Sequence, residues 1–537
     1  MTSSYNDVLL RGLISTEKLI EALCDSSSYS RGDGELVVVH QTHISWVFLV
    51  GPYAYKVKKP IATAFLDYTT LEKREHFCHE ELRLDSRYAK DLYLGVVPIT
   101  LTDGKIRVEG DGEPIEFAVK MRRFADDALL SAQLRLGKLT FAKVKQLGRV
   151  VAEFHHLAKV SGAGEPWGNP ASVRRDALDN FDALWRREES SSVLGLPGKA
   201  CAGLSRQPEI VNEILQWSES FFDQYEDEFQ QRVENGFIRE CHGDLHLNNV
   251  IAWHGRLMPF DGIEFNDSFR WIDVLSDAAF LAMDFSAFGH TEFFHLFVNT
   301  YLEQTNDYGS LALLRWYLVY RSLVRAKVAS IRADQAGQSD AQRDEEFKIR
   351  DRYIDLADQF THIQRPTLSI THGVSGSGKT TLSESLITQA GAIRIRSDVF
   401  RKQEVGLSPI SRPDPEQVEE LYSNSAREST YCRLQQAARG ILRAGYSVIV
   451  DATFLKRQQR DAFYELARDQ NVAFRILDFP VEESTLRQRV AERAQHNEDA
   501  SDANESVLEQ QLQSQELLTD EERTYAINTP ALFKPVL

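Results

Sequence analysis

The feature that most constrains this chain is a glycine-rich stretch, GVSGSGKT, at positions 373–380. The stretch fits the pattern G-x-x-x-x-G-K-[ST] without a gap. An apolar run, residues 367–371, precedes it and a helix-forming run, residues 382–387, follows it, so the local order is strand, loop, helix. Glycines permit a loop whose backbone N–H groups point at phosphate oxygens, and the start of the next helix adds partial positive charge. The stretch predicts a binding site for a nucleoside triphosphate.

We expect individual residues of this loop to have distinct roles in binding ATP and Mg²⁺. The ammonium group of Lys379 reaches the β- and γ-phosphates, and the Thr380 hydroxyl ligates Mg²⁺. The residues expected to surround the phosphates are Gly373, Ser375, Gly376, Ser377 and Gly378. ATP and Mg²⁺ are therefore the expected cofactors.

Length and composition narrow the protein class. At 537 residues the chain exceeds one ordinary domain, and a size of about 150 residues per domain predicts three or four. Hydrophobic residues make up 42% and charged residues 26%, which is typical of globular proteins and excludes fibrous and disordered ones. The net charge is −17, and the balance is acidic both before and after residue 360. This acidity argues against a nucleic-acid partner.

The cysteines and the N-terminal sequence indicate the cellular compartment in which we expect the protein. The five cysteines are widely spaced and form no C-x-x-C pair, which predicts buried or inert thiols in a reducing compartment. The N-terminal stretch contains acidic residues and lacks the basic end, apolar core and cleavage site of a signal peptide. No run of about 18 apolar residues occurs either. We expect a cytoplasmic protein without a membrane segment, and the oligomeric state stays open.

The hydrophobic pattern changes along the chain. Between residues 35 and 124, β-branched and aromatic runs broken by Gly-Pro and Asp-Gly pairs predict an antiparallel sheet with one inserted helix. From residue 141 the apolar spacing is helical, with a loop expected at 188–208. The expected domains are a helical extension (1–34), a sheet lobe (35–124), a helical lobe (125–332), a charged linker helix (333–360) and the triphosphate-binding domain (361–537).

A second set of polar residues lies in the loop HGDLHLNN at positions 242–249. Asp244 and Asn249 are five residues apart, and Asp261 follows twelve residues later, at the end of a short apolar strand. In phosphotransferases of the protein-kinase type, one loop carboxylate faces the nucleophilic hydroxyl, while an amide and a second carboxylate converge on the metal. The spacing predicts Asp244 as the catalytic base and Asn249 and Asp261 as Mg²⁺ ligands.

On these residues, positions of about 35–330 resemble the aminoglycoside phosphotransferase-like branch of the protein-kinase-like fold, whose hallmark is H-G-D-x-H-x-x-N. The loop matches that hallmark through His242, Gly243, Asp244, His246 and Asn249. The resemblance implies a bilobal fold and places His242 beside Asp244 among the catalytic residues.

The same resemblance implies a lysine on the third strand and a glutamate on the following helix. Lys56 and Glu81 are the first candidates, and Lys58 and Glu80 are their rivals. Alternation along a strand puts both lysines on one face, so the pattern cannot separate them. Only Gly51 precedes Lys56 where a G-x-G-x-x-G loop would stand, so the phosphates are expected to be covered in another way.

The chain after the glycine-rich loop supplies further polar residues. An alternating strand at 393–396 leads to Asp398 and, one turn later, Arg401. This fits a carboxylate that takes the acceptor's proton beside a cation that steadies the phosphates. A buried strand at 447–450 ends in Asp451, where a phosphate-loop protein holds its Mg²⁺-bound water. Arg489 and Arg493 are four residues apart and share one face of a predicted helix.

Positions of about 366–530 resemble the small P-loop kinases of the AAA type, such as polynucleotide, gluconate, adenylylsulfate and zeta-toxin kinases. The resemblance implies that Asp398 is the acceptor base and that Arg401 contacts substrate or phosphate. It also implies that Arg489 and Arg493 form a lid over the phosphates.

Together these patterns predict an α/β and α+β chain, with a bilobal protein-kinase-like fold followed by a P-loop kinase whose parallel sheet is flanked by helices. The expected function is a pair of ATP- and Mg²⁺-dependent phosphotransferases, each transferring a γ-phosphoryl group to a hydroxyl of a small molecule. Two alternatives stay open. One is a P-loop ATPase or sensor coupled to one active kinase, and the other is a kinase for nucleic-acid 5′-hydroxyls.

Overall fold

A computed structural model describes residues 9–10, 14–30, 34–63, 65–162, 164–193, 207–334, 339–409, 411, 424–493 and 505–528. The chain forms two compact units that are interleaved along the sequence. The first unit comprises Met1–Ser192, Phe229–Asp284 and Arg325–Arg350, and the second comprises Val193–Glu228, Phe285–Val324 and Asp351–Leu537. The sequence predicts contiguous domains instead, divided near residue 360, and those boundaries stay predictions.

The first unit contains a six-stranded antiparallel sheet with strand order β3-β4-β5-β8-β6-β7, and β1 pairs separately with β2. The strands are β1 (Leu9–Leu10), β2 (Ile14–Ser15), β3 (Val38–Gln41), β4 (Ser45–Val50), β5 (Tyr53–Lys58), β6 (Tyr93–Thr102), β7 (Lys105–Val108) and β8 (Pro114–Arg122). Asp103 and Gly104 join β6 to β7 with φ of 51° and 71°, as an Asp-Gly hairpin turn requires. The expected antiparallel sheet is confirmed.

Two helices, α1 (Thr16–Leu23) and α2 (Leu71–Ala89), pack on this sheet. Leu19 of α1 shares a buried cluster with Val57, whereas Cys78 of α2 shares another with Ala54. Side chains alternate between the two faces of a strand. Lys56, two residues from Ala54, therefore lies on the α2 side of the sheet.

The rest of the first unit is mostly helical. Its helices are α3 (Leu130–Arg135), α4 (Phe141–Leu157), α5 (Pro170–Val193) and α7 (Asp267–Arg270), and two short antiparallel pairs are formed by β9 (Ile238–Glu240) with β12 (Trp271–Asp273) and by β10 (Val250–Trp253) with β11 (Arg256–Pro259). The last residue of α5, Val193, belongs to the second unit, and four further helices are divided between the units: α6 (Gln207–Glu234), α8 (Val274–Ala287), α10 (Leu311–Ala333) and α11 (Asp340–Thr361). Of the loop expected at 188–208, residues 188–193 continue α5, and 194–206 lie outside the described residues.

The second unit is built around a five-stranded parallel sheet with strand order β14-β15-β13-β16-β17. The strands are β13 (Thr367–His372), β14 (Ile393–Arg396), β15 (Val448–Asp451), β16 (Ala473–Asp478) and β17 (Ala526–Asn528). The helices are α9 (Thr291–Thr305), α12 (Lys379–Ala390), α13 (Ser397–Glu404), α14 (Asn424–Arg443), α15 (Arg457–Asp469), α16 (Glu483–Arg493), α17 (Glu505–Ser514) and α18 (Asp520–Arg523). Every residue of β15 is buried, as in parallel strands that helices cover on both faces. The predicted parallel sheet flanked by helices is confirmed.

Two sequence expectations concern the chain as a whole. Within the described ranges, no helix is both long enough and apolar enough to cross a bilayer. Cys24, Cys78, Cys241 and Cys432 are free thiols, and Cys201 lies outside the described residues.

Candidate active sites

A lysine and two carboxylates meet in the first unit. Lys56 lies on β5 and donates to Glu81 Oε1 on α2 at 2.8 Å. The same ammonium group donates to Asp261 Oδ1. Lys56 and Glu81 are buried, whereas the Asp261 side chain is 44% exposed. Lys56 therefore links a buried helix carboxylate to one that faces solvent.

Lys58 makes a parallel set of contacts. Its ammonium group donates to the second oxygen of the same glutamate, Glu81 Oε2, at 2.8 Å, and to Glu264 Oε1. Tyr68 also donates to Glu264 Oε1, at 2.6 Å. Glu264 is therefore part of a buried ion pair with Lys58.

The second contact of each lysine distinguishes Lys56 from Lys58, which the sequence leaves as alternatives. Lys56 contacts Asp261, whereas Lys58 is fully buried against Glu264. Glu80, the rival of Glu81, accepts a bond of 2.9 Å from an arginine of its own helix. The structure thus brings Lys56 and Glu81 together at the expected metal aspartate.

Electrostatics keep this cluster charged. Burial acts to lower the pKa of Lys56, but the charges of Asp261 and Glu81 outweigh it and hold that pKa well above its ordinary value. Burial likewise acts to raise the pKa of Glu81, whereas the ammonium groups of Lys56 and Lys58 lower it to about 2. At neutral pH the buried pair therefore presents Lys56 as a fixed positive charge.

Asp244 and Asn249 lie side by side in the loop after β9. Asn249 Nδ2 donates to the Asp244 carbonyl at 3.0 Å and to Asp244 Oδ2 at 3.1 Å. The Asp244 side chain is 39% exposed. Phe260, next to Asp261, donates its backbone N–H to the Asn249 carbonyl at 2.9 Å, which ties the hairpin β10–β11 to the loop. The oxygen atoms of Asn249 and Asp261 are ligands that Mg²⁺ prefers, so the donor set fits this ion.

His242 lies beside Asp244, whose backbone N–H donates to His242 Nδ1 at 3.3 Å. His242 is 1% exposed, and its Nε2 lies 2.9 Å from the Phe260 carbonyl. Its ring stacks on the ring of Tyr88 with centroids 5.5 Å apart. The ring is thus enclosed by Tyr88 and the Phe260 carbonyl, and the catalytic part of His242 stays a prediction.

Asp277, in the first turn of α8, anchors the same loop. Its carboxylate is buried and accepts the backbone N–H groups of His242 and Gly243, each at 3.0 Å. His155 Nε2 lies 3.1 Å from the same carboxylate. Gly243 has φ of 85°, and a Cβ there would lie 2.6 Å from the Phe269 carbonyl oxygen, so the motif needs glycine at this point. No sequence motif indicates these contacts of Asp277, because its partners in the loop are distant along the chain.

The glycine-rich loop of the second unit has the predicted form between β13 and α12. Gly376 and Gly378 have φ of 82° and 92°, which glycine adopts without strain. A Cβ on Gly376 would lie 3.1 Å from the Leu486 carbonyl oxygen, so helix α16 closes over the loop. Lys379 is 8% exposed and its ammonium group donates to the Val374 carbonyl at 2.8 Å. The lysine thus lies under the loop that is expected to hold phosphate.

Thr380 and Asp451 form the expected metal-binding pair. Thr380 Oγ1 donates to Asp451 Oδ2 at 3.0 Å, and Ser383 Oγ lies 3.3 Å from the same oxygen. Arg396 Nε approaches that oxygen to 3.8 Å. A hydroxyl and a carboxylate at the end of parallel strands are suitable ligands for Mg²⁺, so the residues present fit the ion.

A cavity of about 740 Å³ connects the glycine-rich loop and the Thr380–Asp451 pair with Asp398 and Arg401. Arg401 Nη1 donates to Asp398 Oδ1 at 3.1 Å. Residues that line the same cavity but that no sequence motif indicates are Arg427, Tyr431, Lys456, Gln459 and Gln511. Arg427 and Tyr431 belong to α14, Gln459 to α15 and Gln511 to α17, and Lys456 immediately precedes α15. These segments are distant in the sequence and meet only in the folded chain.

The arginines expected to form a lid lie on α16. Arg489 lines the cavity, and its Nη1 is 3.4 Å from the Gly376 carbonyl oxygen. Arg487 instead pairs with Glu483 at 2.7 Å on the same helix. Arg493 ends the helix, and its side chain lies outside what the structure describes.

Comparison with known families matches the second unit. A family model described as "AAA domain" covers residues 368–518. An uncharacterized protein of Mycobacterium tuberculosis (strain H37Rv) is 29% identical over 483 residues, which are 90% of this chain and 91% of the relative. The predicted resemblance of the C-terminal part to P-loop proteins of the AAA type is confirmed.

Two solved structures are similar to parts of this chain. A gluconokinase from Sinorhizobium meliloti 1021 is 23% identical, with 30% of this chain and 82% of that chain covered and a TM-score of 0.22. A choline/ethanolamine kinase family protein from Mesorhizobium loti is 12% identical, with 64% and 99% covered and a TM-score of 0.36. The family match and the loop geometry identify a nucleotide-binding P-loop domain in the second unit.

Asp85 gives the first site a testable pH dependence. Its Oδ1 accepts from Tyr88 and from the Gly262 N–H, the latter at 2.9 Å, and burial followed by the Glu81 charge raises the pKa of Asp85 to about 8. The unfolded chain binds this proton only below its ordinary pKa of about 4. Between those values the folded state holds a proton that the unfolded state has lost, so stability falls as pH rises, by up to about 1.4 kcal/mol per pH unit.

We expect Asp85→Asn to remove this contribution. The advantage of the wild-type protein over the variant in unfolding temperature should shrink from pH 5 to pH 8 and stay constant above pH 8. Differential scanning calorimetry of both proteins across this range measures the difference. Parallel pH profiles would show that Asp85 is ionised in the folded state at neutral pH.

Proposed function

We propose that this chain is a bifunctional phosphotransferase in which each unit transfers the γ-phosphoryl group of ATP to a hydroxyl of a small molecule. The observation that carries the proposal is the composition of the cavity in the second unit. The cavity joins a phosphate-binding loop and a metal-binding pair to a further carboxylate, Asp398. Nucleotide binding alone does not need that carboxylate, whereas transfer to a hydroxyl needs a base.

In the second unit, each polar residue has a defined part. Lys379 and Arg489 hold the phosphates, and the loop amides add their own hydrogen bonds. Asp398 takes the proton of the acceptor hydroxyl, while Arg401 occupies one of its two oxygens and so fixes the orientation of the other. Helix α16, which packs on Gly376, closes the site over the phosphates and limits access of water.

In the first unit, side chains have the part that the backbone N–H groups of the glycine-rich loop have in the second unit. Lys56, fixed by Glu81, binds the phosphates. Asp244 takes the proton of the acceptor hydroxyl, and its contact with Asn249 fixes its position. Asp277 and His242 hold the loop that carries both residues.

Mg²⁺ would be held by Asn249 and Asp261 in the first unit and by Thr380 and Asp451 in the second, where it would neutralise charge on the transferring phosphoryl group.

The charges of the second cavity favour an acceptor that carries an anionic group. Arg427 and Tyr431 are one helical turn apart on α14 and both line the cavity. Asp398 and Arg401 line the same cavity, so this face of α14 and the proposed base border one space. Asp398 already neutralises Arg401. Arg427 therefore adds positive charge where the acceptor is expected to bind.

The two activities are expected to be separable by substitution. Asp244→Ala should abolish transfer by the first unit and Lys379→Ala transfer by the second, each by about 100-fold or more because a base or a phosphate contact is lost. A metabolite screen with ATP and each variant assigns every phosphorylated product to one unit. Asp179→Ala and Lys348→Ala, which lie on exposed faces of α5 and α11, are the matched controls.

Three outcomes would contradict the proposal. Simultaneous loss of all products in either variant would exclude independent sites. ATP hydrolysis without any phosphorylated acceptor would favour the ATPase or sensor. Phosphorylation restricted to 5′-hydroxyl oligonucleotides would favour the nucleic-acid kinase.

Arg427→Gln tests the class of the acceptor. We expect it to raise KM for hydroxy acids and sugar phosphates about tenfold, while KM for the matched amides and neutral sugars stays unchanged, because the lost contact is with a charge. Steady-state kinetics on such acid and amide pairs make the comparison. Equal changes in KM for charged and neutral acceptors would show that Arg427 does not bind the anionic group of the acceptor.

A further inference from the structure

A glutamine outside every sequence motif contacts the glycine-rich loop. Gln511 on α17 is half-buried and lines the cavity of the second unit. Its Oε1 accepts the backbone N–H of Ser375 at 2.7 Å, a contact between segments 136 residues apart. Because a backbone N–H can only donate, its partner must be the amide oxygen. Gln511 therefore provides the loop with a neutral acceptor.

Lys379 binds the opposite end of the same peptide group. The Val374 carbonyl and the Ser375 N–H belong to one peptide group, and Lys379 Nζ donates to that carbonyl at 2.8 Å. None of the peptide bonds that the structure describes is cis, so the carbonyl and the N–H point in opposite directions. Gln511 and Lys379 therefore hold one peptide group from opposite sides. The Ser375 N–H points away from the ammonium group that is expected to bind the phosphates.

Apolar packing keeps α17 at the loop. Leu508 is fully buried in one cluster with Val374 of the loop and Val490 of α16. Leu508 and Gln511 are three residues apart and so lie on the same face of α17. The helix thus holds the loop twice, by the side chain of Val374 and by the backbone N–H of the next residue.

The far end of the loop is held by other elements. Arg394 on β14 donates from Nη1 to the Thr380 carbonyl at 3.1 Å, and Glu303 on α9 accepts from Nη2 of this arginine at 3.4 Å. Asn299, one turn before Glu303, accepts the Arg394 N–H at 2.7 Å and donates to the Ala392 carbonyl at 3.0 Å. The loop is thus anchored at its end by β14 and α9, and near its start by α17.

We propose that Gln511 is a positioning residue of the P-loop site, which fixes the 374–375 peptide group in the orientation whose carbonyl holds Lys379. This role rests on the proposed function of the second unit. Without the Gln511 oxygen, the peptide group keeps its carbonyl contacts, from Lys379 and from the Ser377 N–H at 3.3 Å, but loses the contact on its N–H side. The carbonyl then fixes the ammonium group less well, so the phosphates bind more weakly.

Gln511→Met in the full chain tests this role, because methionine keeps the length of the side chain but lacks the acceptor oxygen. Hydrogen exchange followed by mass spectrometry reports the two units separately, through the peptides that contain residues 373–380 and 242–249. Without nucleotide, we expect the Ser375 amide to exchange about fivefold faster in the variant, as is typical when one neutral hydrogen bond is lost. The concentration of a non-hydrolysable ATP analogue with Mg²⁺ that gives half-maximal protection at 373–380 should also rise about fivefold. Protection at 242–249 should not change.

Kinetics distinguish positioning from a purely structural effect. For a product that the metabolite screen assigns to the second unit, Gln511→Met should raise KM for ATP about fivefold. KM for the acceptor should stay unchanged, because Lys379 is expected to contact only the phosphates. A rise in both KM values would show that α17 supports the cavity as a whole, and would overturn the positioning role. Gln513→Met is the matched control, because Gln513 is an exposed residue of the same helix that does not line the cavity.

The outcomes separate this role from the function on which it rests. Absence of protection at 373–380 by the analogue in the wild-type protein would overturn the proposed nucleotide site. Protection there with the same half-maximal concentration in Gln511→Met would overturn the positioning role alone. Tighter binding in that variant would overturn it as well, because Gln511 would then compete with phosphate for the Ser375 N–H. Should Gln511→Met unfold, Gln511→Asn has an amide that is too short to reach the loop and should raise the concentration to the same extent. An unchanged concentration in Gln511→Asn would again overturn the role.

Discussion

Both units depend on a helix carboxylate that is enclosed by two cations from alternate positions of a neighbouring strand. The two groups are Glu81 with Lys56 and Lys58, and Glu303 with Arg394 and Arg396. Removing one partner of such a buried group typically costs about 3–5 kcal/mol, because the remaining charge is left without compensation. The arrangement therefore fixes helix and strand at one register, since a shift by one residue would turn both cations to the opposite face. In each unit this register sets the position of a residue that the proposed chemistry uses.

Under the proposed function, the two sites hold phosphate by different physical means. In the second unit, backbone N–H groups and the start of α12 provide the attraction, so the loop must consist largely of small residues. In the first unit, the ammonium group of Lys56 provides the attraction, and its position depends on the side chain of Glu81. A main-chain site depends on local sequence, whereas a side-chain site depends on contacts between distant segments. This difference explains why the second site is much easier to recognise in the sequence.

Much of the fold follows from the sequence, because local patterns encode it. The apolar runs and turn residues predict the antiparallel sheet and the parallel sheet, and the loop at 373–380 lies between strand and helix as expected. Strand alternation narrows the active lysine to Lys56 or Lys58 but cannot choose, since both face α2 and both contact Glu81. Only the partner from a distant segment, Asp261 or Glu264, separates them. Asp277, Arg427 and Glu303 carry no motif for the same reason, and the interleaving of the two units leaves no trace in composition.

The placement of Asn299 has a consequence for dividing the chain. Strand β14 lies at the margin of its sheet, and its outward backbone groups at Ala392 and Arg394 are occupied by this asparagine side chain. A fragment that begins at residue 361 would retain the AAA-type region but lose α9. Its β14 would then present unpaired main-chain donors and acceptors, which are a template for another copy to add a strand. Self-association and poor solubility are thus built into any such truncation, even though all residues of the phosphate loop would still be present.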